Sequence, residues 1–285
     1  MPEGQVSATS AEMTPEPPEA PSPLAKAAAA LGDAVSRLTG GDAVEPDAPS
    51  SKGAASALGG VVSGLAGAAR VGGKGAVVGG TFLAELLTTT ATRLPLREKS
   101  TLLDQHPDQD TEEIADSLVA AAAKVSAAIG GAAGGLAAAQ WLATPSLIAI
   151  PVELAAETLL VAAVELKLVA ELHEIYDARP RGDLGERATA YLGSWTAQRG
   201  LSGEGQTLGL ASRLASAGTA ALRKRITGRL ARNLGSFLPF LAGAVIGARN
   251  NASSTRKLSQ RLRADLAAQP HRIASRRLGL PGQPT

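Results

Sequence analysis

The chain has 285 residues, 45% of them hydrophobic, which is long enough for one large or two small domains and apolar enough to bury a core. Its 57 alanines and 32 glycines make up nearly a third of the positions, against seven aromatics, which excludes collagen for want of a Gly-X-Y period and disfavours an aromatic-rich β-sandwich or barrel. Cysteine is absent, so there is no disulfide framework or thiolate metal site, and the net charge of +2 hides a split: residues 1–210 carry 14 Lys and Arg against 25 Asp and Glu, residues 211–285 carry 14 against Asp265 alone.

Residues 1–23 are acidic and proline-rich, with neither a basic n-region nor an apolar h-region, and read as a disordered tail without a secretory signal. Helical periodicity dominates from residue 24 onward. LAKAAAALGDAVSRL (24–38) predicts a short amphipathic helix closed by Thr39-Gly40-Gly41, followed by a linker. Two glycine-punctuated apolar helices follow over 54–69 and 75–94, and glycine there is tolerated where helices approach closely or a membrane removes competing water.

The stretch 95–110 reads as a polar interval. Asp110 and Glu113 then make a capping-box pattern that starts a helix near Thr111, with a break expected around Gly130-Gly131 or Gly134-Gly135. Residues 147–177 form the longest periodic segment. At 100° per residue Glu153, Glu157, Lys167, Glu171 and Glu174 share one stripe, with Glu165 to one side, which predicts a mostly buried helix with one wet edge. Further helices are expected at 183–199, 208–218, 219–232, 235–249 and 254–268, and the short joints between them imply antiparallel neighbours. The fold class is therefore all-α: a multi-helix bundle of Gly/Ala-rich antiparallel helices behind a disordered N-terminal tail. The segments are 1–23 (tail), 24–50 (short helix and linker), 51–110 (Gly-rich apolar helices), 111–268 (helical core) and 269–285 (basic C-terminal tail). The charge-free runs 125–142 and 233–248 fall short of a bilayer span in length or apolar strength, so a buried core hairpin is the stronger expectation.

Two blocks carry a family resemblance. Pro151-Val152-Glu153-Leu154 followed by Thr158-Leu159 resembles the Pro-Val-Glu-Leu-Pro-Val-Thr-Thr-Thr-Leu block of the EcsC-like family. Pro239-Phe-Leu-Ala-Gly243-Ala244-Val-Ile-Gly247-Ala248-Arg-Asn250 is similar to that family's Pro-x-x-Gly-Ala-x-x-Gly-Ala-x-x-Asn block, with the glycines displaced by one position. Ala155 stands at the family's second proline, and Glu157 and Leu159 replace two of its threonines. The resemblance covers roughly residues 120–265 and makes 111–268 an EcsC-like core. It implies a helical, hydrophobic bacterial protein without an established catalytic activity, associated in some members with membrane transport or secretion machinery. From the residues themselves, Pro151 kinks or starts its helix, and Glu153 and Glu157 at i, i+4 repel and so face water or a basic partner. Gly243 and Gly247 form a small-xxx-small face for another backbone, and Asn250 suits a helix C-terminus.

Signatures of catalysis are weak. His106, His173 and His271 are far apart and match no zinc spacing; Glu171, His173, Glu174 and Asp177 read as a solvated helix end; HPDQD (106–110) reads as a capped loop. The stretch 67–75 fails the phosphate-loop spacing, and no nucleophile elbow or dinucleotide fingerprint occurs. No cofactor or metal is expected, and an enzyme is the weaker expectation.

The basic tail carries the clearest physical signal. Leu258, Leu262 and Leu266 make one stripe, with Arg256, Lys257, Arg261 and Arg263 spread over the other side, and Arg223, Arg225 and Arg229 belong to an earlier basic helix. These seven cations are the candidate contacts with an anionic surface. The functional expectation is a non-enzymatic, cytoplasmic, membrane-associated helper or scaffold on the inner membrane face. The alternative is a soluble helical interaction module whose acidic and basic halves pair within or between chains. Nucleic acid ranks last, because aromatics do not interleave with the arginines.

Overall fold

A computed structural model describes residues 21–40, 50–73, 80–140, 149–199 and 239–277. Among these the chain is all-α, with eight helices and no strand: α1 (Pro23–Thr39), α2 (Ser51–Gly72), α3 (Gly80–Ala91), α4 (Lys99–Gln105), α5 (Thr111–Gln140), α6 (Ala149–Ile175), α7 (Leu184–Gln198) and α8 (Pro239–Arg277). The tail before residue 21, the helices expected over 208–232 and the cations Arg223, Arg225 and Arg229 lie outside the described residues.

Local chemistry sets the helix ends. The Ser22 hydroxyl accepts from the Ala25 amide (3.1 Å) ahead of Pro23, and α1 stops at Gly40 with φ 70°. Ser50 starts α2 in the same way, accepting from the Gly53 amide at 3.0 Å. The capping box expected at Asp110 is formed: the Glu113 amide donates to Asp110 Oδ1 and the Asp110 amide to Glu113 Oε2, both at 2.9 Å. Asp183 and Glu186 make a second such box for α7. Pro151 falls in the first turn of α6, where its missing amide leaves no intrahelical bond unmade. At the far end of α6, Asp177 takes φ 55° while the Ala178 amide reaches the His173 carbonyl (2.8 Å), a 6→1 bond of the Schellman type.

Helix α6 is the axis of the molecule and touches all seven other described helices. The largest single interface is between α5 and α8. Buried residues from Ala27 in α1 to Leu266 in α8 form one apolar cluster, so the segments distinguished along the sequence share a core.

Three expectations are corrected. Helix α5 does not break at its glycines: it continues to Gln140, because Gly130 and Gly134 receive the backbone of α8. Residues 235–249 and 254–268 are not two helices; α8 is continuous, and Asn250 lies inside it rather than at a C-terminus. Asn251, Thr255 and Ser259 would suit a boundary, but their side chains are buried, the first two in bonds to other helices, and so do not cap. The polar interval 95–110 contains the unforeseen α4. Two helices, Ser51–Gly72 and Thr111–Leu136, are long and apolar enough to cross a membrane by length and composition; both are core helices here, partly buried against their neighbours.

Candidate functional site

The charged stripe of α6 is not a wet edge. Glu157, Glu165, Lys167, Glu171, His173 and Glu174 are all buried, whereas Glu153 is partly exposed and Thr158 exposed. Residues spaced to share one helical face were read as solvated, yet each is met by a polar group from another part of the chain. Three clusters result, in order along α6.

Near its start, Asn251 of α8 donates from Nδ2 to Glu157 Oε1 at 3.1 Å. The asparagine anticipated from the motif was Asn250, which is exposed; the neighbour that turns inward is Asn251, 2% exposed. In the middle, Glu165 is fully buried. Its Oε2 accepts from Trp195 Nε1 (3.0 Å) and Arg199 Nε (2.9 Å), and its Oε1 accepts from the Thr255 hydroxyl (2.9 Å), which has Ser126 Oγ 3.0 Å away. Arg199 also packs its guanidinium over the Trp195 ring, 5.9 Å from the centroid. One carboxylate thus ties α5, α6, α7 and α8 together.

Toward the end of α6, Arg97 enters from the segment joining α3 to α4 and grips Glu171 with two bonds, Nε at 2.8 Å and Nη2 at 2.9 Å, while its Nη1 donates to Gln105 (2.9 Å). Lys167 pairs with the same carboxylate and donates to the Pro95 carbonyl at 2.5 Å. Burial alone would push the Glu171 carboxyl up, but the Lys167 charge and the Arg97 bonds together hold it below the usual carboxylate value. His173 donates from Nδ1 to the Val169 carbonyl (2.7 Å) and meets the Tyr191 ring edge-on; burial depresses its pKa, which keeps the imidazole neutral.

Beside this last cluster lies an open cleft of about 250 Å³, lined by Leu94, Arg97, Glu174, Arg179, Leu184 and Tyr191 among others. Arg179 bridges Glu98 (3.2 Å) and Glu174 (3.1 Å) at the cleft, whose lining also includes Arg187. Burial and the Glu174 charge push the Tyr191 phenol up to about 12, so it supplies no proton near neutrality. No group of three or more His, Asp and Glu poised to hold a metal occurs among the described residues. The Glu157, Glu165 and Glu171 clusters each hold α6 against another part of the chain.

The basic tail divides into two kinds of residue. Leu258, Leu262 and Leu266 are buried as the stripe required. Arg263 turns back to α5, where it pairs with Glu112 and Asp116 and donates from Nε to Tyr176 Oη (3.1 Å). Burial would lower its pKa, but these bonds raise it, and the same contact lowers that of Glu112. Arg261 donates from Nη1 to the Gln198 carbonyl at 2.9 Å. Arg256 and Lys257 are exposed, as is Arg249, a cation outside the anticipated set, and none of the three has a carboxylate partner among the described residues. Their positions fall within an arc of about 100° on one continuous helix.

The family-motif glycines do what their spacing requires. A Cβ on Gly130 would lie 2.6 Å from the Gly247 carbonyl carbon, and one on Gly134 would lie 2.6 Å from that of Gly243. Two small-xxx-small faces, Gly130/Gly134 on α5 and Gly243/Gly247 on α8, therefore cross in contact, antiparallel. Arg97, Ser126, Arg199, Asn251 and Thr255 are not legible as site residues in the sequence, since each becomes one only through a partner tens of positions away, and Gln105 follows from Arg97, eight positions before it. Comparison with models of protein families, with curated proteins and with solved structures found no match.

Proposed function

We propose that this chain is a helical scaffold of the EcsC-like type that sits peripherally on an anionic membrane surface, the cytoplasmic face of a bacterial membrane, and contacts it through the outer side of α8. The observation that carries the reading is the set of exposed cations, Arg249, Arg256 and Lys257, on one face of a helix whose apolar stripe is already used by the core. Each cation near an anionic leaflet contributes about 1 kcal/mol, and that gain fades within a Debye length. Long-range attraction therefore needs cations that no internal carboxylate neutralises. The buried ion pairs support a scaffold role, because they fix helix positions and leave no reactive group at a cleft.

Flotation with anionic and neutral vesicles tests this. Full-length protein should float with anionic vesicles at low salt, stay behind with neutral ones, and release near 1 M salt, where screening acts over about 3 Å. Arg256→Glu combined with Lys257→Glu should abolish flotation, and Arg263→Ala should leave it unchanged. Absence of flotation, or retention through both high salt and alkaline carbonate, would overturn the proposal. The Arg263 pairing with Glu112 and Asp116 favours a second reading, in which acidic front and basic tail chiefly hold one another; it gains if flotation fails.

A further inference from the structure

The α5–α8 pair is fastened differently at its two ends. At one end Arg263 is held by Glu112 and Asp116; at the other, the glycine faces bring the backbones together. The glycine end is nearly free of charge: the sequence has no Asp, Glu, Lys or Arg between Lys124 and Glu153, nor from Asn233 to Ala248. It also exposes large apolar side chains from both helices, Leu136 (39%) on α5 and Val245 (47%) and Ile246 (38%) on α8. The next residues outward along α8 are cations: Arg249 is one turn from Val245, and Arg256 and Lys257 follow two turns later.

We propose that this end is a wedge that enters the headgroup and upper acyl region of an anionic bilayer, with Val245, Ile246 and Leu136 as the inserting side chains and Arg249 as the first phosphate contact. This rests on the peripheral membrane reading and adds depth and orientation to it. From Pro239 to Ala248 the charge-free part of α8 spans ten residues, about 15 Å of helix, which is half the hydrocarbon thickness of a bilayer. A tilted entry buries apolar side chains to the depth usual for interfacial helices while arginine stays among the phosphates. The close glycine packing suits such a wedge, because two helices in backbone contact displace less lipid than two separated by leucines. Two other exposed leucines have a different setting: Leu103 is followed by Asp104, and Leu184 lies between Asp183 and Glu186, acids that an anionic surface repels; Val71, beside Arg70 on α2, is exposed singly, without a second large apolar side chain next to it.

The absence of cysteine makes the test direct. Ile246→Cys and Leu103→Cys variants of the full chain would each be labelled with an environment-sensitive nitrobenzoxadiazole dye and mixed with vesicles of anionic phospholipid. The label at position 246 should shift to the blue and be quenched by lipids brominated high on the acyl chain, whereas that at 103 should do neither. Ile246→Glu should lower vesicle partitioning about tenfold or more with an unchanged melting temperature, since the side chain is exposed. If flotation persists while the 246 label is silent, or if both labels respond alike, the wedge is refuted and surface docking stands. If flotation itself fails, the peripheral reading falls and the wedge with it.

Discussion

The glycine crossing predicts opposite effects for the same substitution at two positions five residues apart. Gly130→Ala would place a Cβ 2.6 Å from both the Gly247 carbonyl carbon and Asn251 Nδ2, about 0.8 Å inside ordinary contact at 3.4 Å. The obstacle on one side is backbone, so α5 and α8 must separate, loosening the Asn251–Glu157 and Thr255–Glu165 bonds formed just beyond. Overpacking costs about 1–3 kcal/mol, and with backbone as the obstacle the upper part of that range, about 2–3, applies; alanine's better helix propensity returns about 1, leaving a net loss of about 1–2 kcal/mol. At Gly135 an added Cβ meets nothing within 4 Å, and alanine should stabilise by about 0.4–1 kcal/mol through the unfolded chain's lost freedom. The two variants should therefore differ by about 1.4–3 kcal/mol, or roughly 3–12 °C in melting temperature, read by helical circular dichroism. A Gly130→Ala protein that melts at or above the parent would refute the close approach.

The buried charges make two further predictions. Glu171→Gln leaves Arg97 and Lys167 facing each other at 8% and 4% side-chain exposure without their shared anion and should cost about 3–5 kcal/mol in guanidinium unfolding, whereas Glu98→Gln, whose partner is exposed, should stay within about 1 kcal/mol. A loss below 1 kcal/mol at Glu171 would mean the pair is not desolvated. The imidazole of His173 has a folded pKa below 6.5, so the unfolded chain takes up its proton first as pH falls. Its contribution is fully present above pH 6.5 and is lost below it, at up to about 1.4 kcal/mol per pH unit, until the folded pKa is reached. Urea titrations between pH 6.5 and 5 should show this slope in the parent and a flatter one in His173→Phe; equal slopes would refute the assignment to His173.

What the sequence made legible was local. The Asp110/Glu113 capping box, the α1 stop at Gly40 and the leucine stripe at 258, 262 and 266 each depend on residues within one or two turns, and each is found. The α6 stripe failed because a helical wheel gives the direction of a side chain but not what it meets. Glu157, Glu165 and Glu171 at i, i+8 and i+14 look like a solvated edge, and only Asn251, Arg199 and Arg97, 94, 34 and 74 positions away, make burial tolerable. The same limit explains the missing break in α5. Glycine's intrinsic cost is a property of the single helix, whereas its value here belongs to the pair. Asn250 and Asn251 show how narrow the margin is: a motif carries the residue type, but a shift of 100° decides which of the two faces inward.

That rotation also bears on why the exposed cations keep their place. Leucines at 258, 262 and 266 repeat every four residues, so on apolar grounds alone α8 could slide by about one turn along α5 and α6 and bury a similar stripe. Asn251, Thr255 and Ser259 share that spacing, but the glycine pair and the Arg263 contacts occur only once. A slide of four residues would set Thr255 or Gly247 against Glu157, would remove Thr255 from Glu165, and would drive Arg263 away from Glu112 and Asp116. It would also bring Asn251 against Gly130 in one direction and Pro239 against Gly134 in the other, where only a glycine fits. Either slide forces backbones apart and strands Glu112 and Asp116 from Arg263, at a cost the leucines cannot offset. The register of α8 is thus set by its inward polar groups and glycines, and the direction in which Arg249, Arg256 and Lys257 point follows from that register. A charged face that must point in one direction is better anchored by such unrepeated contacts than by an apolar stripe, which tolerates several.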